Sequence, residues 1–366
     1  MIPAEKRLWA ARVALGGLAI LCVVLILLFP QHAAAGVQDG LALCYNSLIP
    51  ALFPFLILTR ILIDTGASGL LGLPLLPYCR LLGIRDKRAA SAAAIGLLGG
   101  FAASGSAVDL LVRRGRITPG QAEVLLCGCA VEGPAFLIFA VGGGMLGSLR
   151  LGVLLWISVV LSSLLCALPF ARRRSKIPTS STAEMDTAPT SCALLLVGAV
   201  SGAVDAMLRI CGFVLFFSLL RGILLSFALP QLLGATLLSL LEVTTGCRSA
   251  CAVGGEPALA LCLVALGTLG LCGLAQLRAL LSPGISLSPF LRSRLLQLPL
   301  SMVFFFLLRR WFASGVTGAF SPQSQPLLVL PLRMPREAAL FLFLFLAVFC
   351  SELAGKKSLR RRSKGI

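Results

Sequence analysis

Charge is scarce in this chain. Of 366 residues only 13% are Asp, Glu, Lys or Arg, about half the share of an ordinary soluble domain. With 58% apolar residues spread along the whole length and a mean hydropathy of +0.98, that shortage excludes a water-soluble enzyme. Histidine is limited to His32, and the 13 cysteines contain no Cys-x-x-Cys pair. A zinc site of the usual Cys/His kind and a disulfide framework are therefore not expected. The closest cysteines, Cys127/Cys129 and Cys247/Cys251, read as small packing residues of a helix interface. Acidic residues are few as well, 14 against 32 basic, for a formal charge of +18. The basic excess flanks apolar runs instead of gathering with aromatics on a solvated surface. This speaks against nucleic acid as a partner and is the positive-inside pattern of a membrane protein. No nucleophile–base pair, phosphate loop or metal cluster stands out, so neither an enzyme nor a bound cofactor is expected.

What the chain has is a succession of apolar segments. Lys6, Arg7 and Arg12 precede Val13–Phe29, about 26 Å of helix at ~1.5 Å per residue. The three basic residues put the N-terminus in the cytoplasm. Ala33-Ala34-Ala35 imitates a cleavage site, but the length of the run favours an uncleaved signal anchor over residues 1–39. A second span starts at Ser47, with Pro50 and Pro54 in or before its first turns, and ends near Gly66. Arg80, Arg85, Lys87 and Arg88 follow it. After Thr118-Pro119-Gly120, read as a helix start, the chain runs to Gly144, and Leu151–Ala171 is a clean span closed by Arg172-Arg173-Arg174. Residues 172–191, rich in Ser, Thr and Pro, read as a cytoplasmic linker between halves 40–171 and 192–312. Further apolar runs are Ile210–Leu229, Leu232–Leu241, Pro257–Leu277, Leu295–Leu308 and Ala338–Ser351. The last lies in a C-terminal segment, 313–366, with a basic tail. The expectation is an all-α polytopic protein of the inner cell membrane. It has about eight transmembrane helices, two Gly-rich re-entrant hairpin-like segments in two repeated halves, and both termini in the cytoplasm.

The first hairpin is placed at Ala89–Val108. This stretch is charge-free and long enough to cross, yet it carries Gly96, Gly99, Gly100 and Gly105 and is flanked on both sides by basic clusters. Two half-helices that enter and return from the cytoplasmic side satisfy both flanks, the alternative being a Gly-rich packing helix. The second is placed at Pro257–Leu277, which keeps the number of crossings even. Five polar residues are the candidates for a solute or ion. Glu132 precedes Gly133-Pro134, where a helix should break. Glu242 ends an apolar run and is followed by Val243-Thr244-Thr245-Gly246. An intramembrane carboxylate is a functional hypothesis, against helix capping for Glu132 and an ion pair with Arg248 for Glu242. Ser104, Ser106 and Gln276 could supply hydrogen bonds on the Gly-rich segments, or serve ordinary helix packing. Asp109/Arg113, Arg60/Asp64 and Asp205/Arg209 stand at i,i+4 and read as structural pairs.

The halves echo each other. Leu110-Leu111-x-x-x-Gly115-x-Ile117-x-Pro119 is answered by Leu280-Leu281-x-x-Gly284-Ile285-x-x-x-Pro289, each after a Gly-rich run. Such paired broken segments point to a transport-type site. The stretches SLIPALFPFLIL, GLLGGFAASGSAVDLLVRRGRITPGQAEVLLCGCAVEGPAFLIFAVGGGMLG, LLEVTTG and GTLGLCGLAQLRALL resemble sporulation integral membrane proteins of the YlbJ type, which carry a nucleoside-recognition (Gate) domain. The resemblance covers roughly residues 40–312. It implies a multi-spanning inner-membrane protein needed for endospore formation, with a fold like the core of nucleoside transporters. A small polar solute or nucleoside, a homo-oligomeric copy or a sporulation membrane partner, and the lipid bilayer are the partners it implies. The chain departs from the family pattern at Gly100–Gly105, at Ala130-Val131-Glu132 and at Leu274-Ala275-Gln276.

Overall fold

A computed structural model describes residues 4–65, 69–174, 192–227 and 229–312, and every element in them is helical. All of them belong to a compact unit spanning Met1–Gln325. The linker at 175–191, the apolar run Ala338–Ser351 and the basic tail lie outside the described residues.

α1 (Ala4–Leu28) contains the apolar run expected of the anchor and bends by 104° at Pro30 into α2 (Pro30–Leu43). A π-turn at Cys44–Leu48 leads to α3 (Ile49–Thr65), which holds Pro54 in its interior, further along than the first turn. Its chain then turns through 93° into α4 (Gly69–Gly72) and α5 (Leu76–Leu81). α6 (Lys87–Gly99) starts at Asp86, whose carboxylate accepts the Arg88 N–H at 2.7 Å. Gly100 ends it, and α7 (Phe101–Arg113) follows. α8 (Pro119–Cys129) begins where Thr118-Pro119-Gly120 places it. The Thr118 hydroxyl accepts the Gln121 N–H, and the Gln121 amide oxygen accepts the Thr118 N–H, a complete capping box. Non-helical backbone at Ala130–Gly133 then leads to a π-helix, Ala135–Met145.

α9 (Leu149–Arg174) covers the expected clean span. α10 (Cys192–Leu225) is one 34-residue helix, about 51 Å at ~1.5 Å per residue, so the run expected to start at Ile210 is only its second half. α11 (Gln231–Leu241), α12 (Val243–Val253), α13 (Gly255–Thr268), α14 (Gly270–Leu280) and α15 (Ser288–Phe312) complete the described chain. Four helical stretches, 149–171, 193–225, 255–280 and 288–312, are long and apolar enough to cross a membrane, and up to six are if each bent pair counts as one span. Large apolar side chains point outward along them, Leu27 at 74% exposure and Leu295 at 77% among them. In water this surface would aggregate; in a bilayer, lipid tails cover it.

Small residues let the helices approach. On α2 and α10, Gly36 and Gly40 meet Ser218 and Gly222 so closely that a methyl group on either Gly36 or Gly222 would strike facing backbone. On α9 and the π-helix, Gly152 and Gly142 do the same.

The stretch 89–108 folds back on itself. A Cβ on Gly96 would lie 2.7 Å from the Ser104 Cβ, a contact that a straight helix cannot make between residues eight apart. Each arm has 13 residues, about 20 Å, too short for a ~30 Å hydrocarbon core. The second fold-back corrects the sequence expectation. It is α11–α12, with Glu242 at its tip, where a Cβ on Gly246 would collide with the Ser239 backbone. The stretch 257–277, expected to be that hairpin, instead belongs to one of the four long apolar stretches, 255–280, broken at Leu269-Gly270. In chain order the hairpin α6–α7, a broken helix (α8 and the π-helix) and the long α9 are followed, after α10, by the hairpin α11–α12, the broken α13–α14 and the long α15. The Leu-Leu…Pro echo sets a different register, with α7 beside α14.

Candidate functional site

Each hairpin tip meets the break of the helix that follows it. At the first junction Gly100 has φ +88° and ψ 177°, a conformation essentially confined to glycine. A Cβ there would lie 3.2 Å from the Gly133 nitrogen, and one on Gly133 would lie 3.1 Å from the Leu98 carbonyl oxygen. The Phe55 ring of α3 packs against Gly99 with no space for a side chain between them. Gly133-Pro134 breaks the helix as the sequence leads one to expect. Pro134 lacks an N–H and disfavours helix at the residue before it.

At the second junction Gly270 sits on the backbone of the other tip, its absent Cβ 3.2 Å from the Glu242 Cα and from the Leu241 carbonyl oxygen. Leu269 beside it is buried and is the one non-glycine residue with positive φ (64°) among the described residues. The left-handed conformation costs a leucine about 1–2 kcal/mol, which the packing of this junction must offset.

The two carboxylates come from opposite members of these junctions, Glu132 from a broken helix and Glu242 from a hairpin tip. They lie within reach of each other's charge, and Cys272 on α14 lies within reach of both. Their local bonding differs completely. Glu242 caps α12: Oε1 accepts the Thr244 N–H at 2.7 Å, and Oε2 accepts the Thr245 N–H at 2.7 Å and the Thr245 hydroxyl at 2.5 Å. No ion pair joins it to Arg248 among the described residues, and Arg248 is exposed. Glu132 is half-buried in the non-helical break and has no hydrogen-bond partner among the described residues. A carboxylate with free lone pairs beside a second negative charge favours a cation, or a solute offering N–H or O–H donors.

The other candidates are placed unequally. Gln276 is buried on α14 and donates to the Cys272 sulfur at 3.0 Å, which brings it to the edge of the carboxylate pair. Ser104 is fully buried one turn past Gly100, with a hydroxyl that finds no partner among the described residues. Ser106 is not at this junction; it lines a cavity of about 190 Å³ among α3, α7, α10 and α14. Of the i,i+4 pairs, Asp109–Arg113 forms at 2.5 Å, and the second Asp109 oxygen accepts the Ser282 N–H at 2.6 Å. The other two do not. Asp64 pairs with Arg114, and Arg209 donates to the Ala279 carbonyl. Tertiary partners outcompeted the neighbour one turn away.

The sequence reading passed over two groups. Cys272 was one apolar-looking cysteine among many; its position three residues past Leu269 was the available signal. Arg294, a charged residue on an apolar helix, is buried. It donates to the Cys127 carbonyl at 2.9 Å and the Ser163 hydroxyl at 3.4 Å, and stacks on the Phe290 ring at 4.3 Å. Arg294, Gln297 and Ser301, spaced along one face of α15, were the pattern that would have found this interior polar seam.

A helical chain with four to six stretches able to cross a bilayer defines a multi-spanning integral membrane protein. It is similar to the sporulation integral membrane protein YlbJ of Bacillus subtilis (strain 168), with 27% identity over 318 residues that cover 76% of this chain and 78% of that one. No family model and no solved structure matches the chain.

Proposed function

We propose that this protein is required for endospore formation and that it binds, and moves across the inner membrane, a small polar solute or cation. It acts as a transporter and not as an enzyme. The similarity to a protein of sporulation supports the physiological setting. The transport part rests on one observation: Glu132, with no hydrogen-bond partner among the described residues, lies at a helix break within reach of the charge of Glu242. Discontinuous helices whose breaks meet at a shared polar point are the usual construction of a solute site in a membrane transporter. In this reading the two hairpins are re-entrant, the halves are pseudo-symmetric copies of a Gate-like unit, and both termini face the cytoplasm. About eight segments cross in all. Glu132 is the ligand-binding carboxylate, Glu242 shapes and charges the site, and Gln276 and Ser104 border it. A nucleoside fits this chemistry through its hydroxyls.

The capping bonds of Glu242 favour a second reading, in which that residue is purely structural and the protein is a membrane scaffold for other sporulation components. Two measurements separate the readings. Deleting the gene from its host should lower heat-resistant spore yield and spare vegetative growth. Proteoliposomes holding the purified protein should accumulate a nucleoside or amine faster than empty vesicles, with Glu132→Gln abolishing the difference. Normal spore yield would remove the physiological assignment, and the absence of uptake for every solute tried would leave the scaffold.

A further inference from the structure

The cavity of about 190 Å³ lies away from the carboxylate pair, where α3 and α10 meet the C-terminal ends of α7 and α14. Its lining carries three arginines, the half-buried Arg60 and the exposed Arg113 and Arg209, together with two aspartates, Asp109 and Asp205. Their bonding is unequal. Arg113 is neutralised by Asp109, whose other oxygen is spent on the Ser282 N–H. Arg209 uses one nitrogen on the Ala279 carbonyl and keeps the rest of its donors. Arg60 has no partner among the described residues, and its Nε is buried. The i,i+4 carboxylate that would have satisfied it, Asp64, is drawn off by Arg114. The guanidinium of Arg60 lies against α10 at Gly202, where a Cβ would stand 2.5 Å from Nη1. The missing side chain is what makes room for it. Asp205, which also lines the cavity, is exposed, as Arg209 is.

We propose that this cavity binds a phosphate-type oxyanion, held by Arg60 and Arg209. Guanidinium groups take such anions through paired, charge-assisted N–H···O bonds, and a buried N–H with no acceptor is costly until one arrives. The volume equals on the order of six water molecules at ~30 Å³ each, enough for a phosphate group and the first atoms of an ester. The basic residues Arg113, Arg114 and Arg116 at the same end of α7 mark the depth at which phospholipid headgroups lie, so the oxyanion can come from an anionic lipid or from a soluble phosphate. The site is separate from Glu132 and Glu242 and does not depend on the transport proposal.

The test uses the full-length protein, delipidated in detergent, with two probes. One arm titrates inorganic phosphate and follows thermal stabilisation. The other incorporates the protein into nanodiscs of phosphatidylcholine with or without phosphatidylglycerol and counts retained lipid by native mass spectrometry. Saturable binding is expected in at least one arm, and which arm responds identifies the source. Arg60→Gln should weaken it about tenfold or more, Arg60→Lys less, and Arg292→Gln, on an exposed face of α15, not at all. If Arg60→Gln does not fold, Gly202→Ala and Arg209→Gln carry the same test. No saturable binding in either arm, unchanged binding in the cavity variants, or equal loss in Arg292→Gln would overturn the proposal.

Discussion

The two junctions solve one geometric problem with different residues. In the first, the hairpin tip is a glycine whose backbone lies against Gly133, and the carboxylate sits at the helix break with no hydrogen-bond partner among the described residues. In the second, the tip is itself the carboxylate, bound by two amides and a hydroxyl, and the broken helix supplies the strained Leu269 and Gly270. Glycine at the first tip lets the backbone turn without stabilising the turn. Glutamate at the second turns the chain by offering the free N–H groups of α12 a better acceptor than helix continuation would. The difference assigns different duties. Glu242 is committed to the fold and contributes its charge, whereas Glu132 is uncommitted and available.

Substitutions should expose that division, beginning with the most damaging. Gly100→Val places a β-branched residue in glycine-only backbone space, costing about 1–3 kcal/mol for the strain alone, and pushes a side chain into the Gly133 backbone. Folded yield in the membrane should fall sharply, measured by fluorescence-detected size exclusion. Glu242→Ala removes three hydrogen bonds and a helix cap and should cost about 2–3 kcal/mol, read as a lowered thermal midpoint. Thr245→Val removes only the hydroxyl bond to Glu242 and should cost about 1 kcal/mol. Glu132→Gln breaks no hydrogen bond among the described residues and keeps the shape of the side chain, so its thermal midpoint should hold. Its effect falls on function: spore formation should fail to recover when this variant replaces the wild type at equal membrane level. Equal destabilisation by Glu132→Gln and Glu242→Ala would erase the contrast between the junctions.

How far the amino-acid sequence foretold this arrangement depends on whether the signal is local. Gly100, Gly133-Pro134 and Thr118-Pro119 act through their own backbone restrictions, so the first tip, the first break and the start of α8 could all be read directly. The second tip could not. Leu240-Leu241-Glu242-Val243 resembles an ordinary helix end, because a capping carboxylate breaks a helix without glycine or proline. The glycines of 257–277 drew the hairpin to the neighbouring segment. Proximity of Glu132 and Glu242 was anticipated from the idea of two matched halves, whereas the Leu-Leu…Pro echo sets α7 beside α14 and so pairs neither of these junctions. The ion pairs of Arg60 and Asp205 failed because helix spacing says which residues can meet, and only the packed neighbours decide which do.

The central claim is that carboxylates from the two junctions converge, and cross-linking measures it most directly. The variant Glu132→Cys/Glu242→Cys, built in a background with the other cysteines replaced, is treated in native membranes with a short bifunctional thiol reagent. Asp109→Cys/Ser282→Cys serves as the positive control, since the Ser282 main-chain N–H donates to the Asp109 carboxylate at 2.6 Å and the two residues are neighbours across α7 and the loop after α14. The account predicts an intramolecular cross-link at 132–242, seen as a mobility shift that neither single cysteine gives. A control pair that links while 132 and 242 stay unlinked would contradict it.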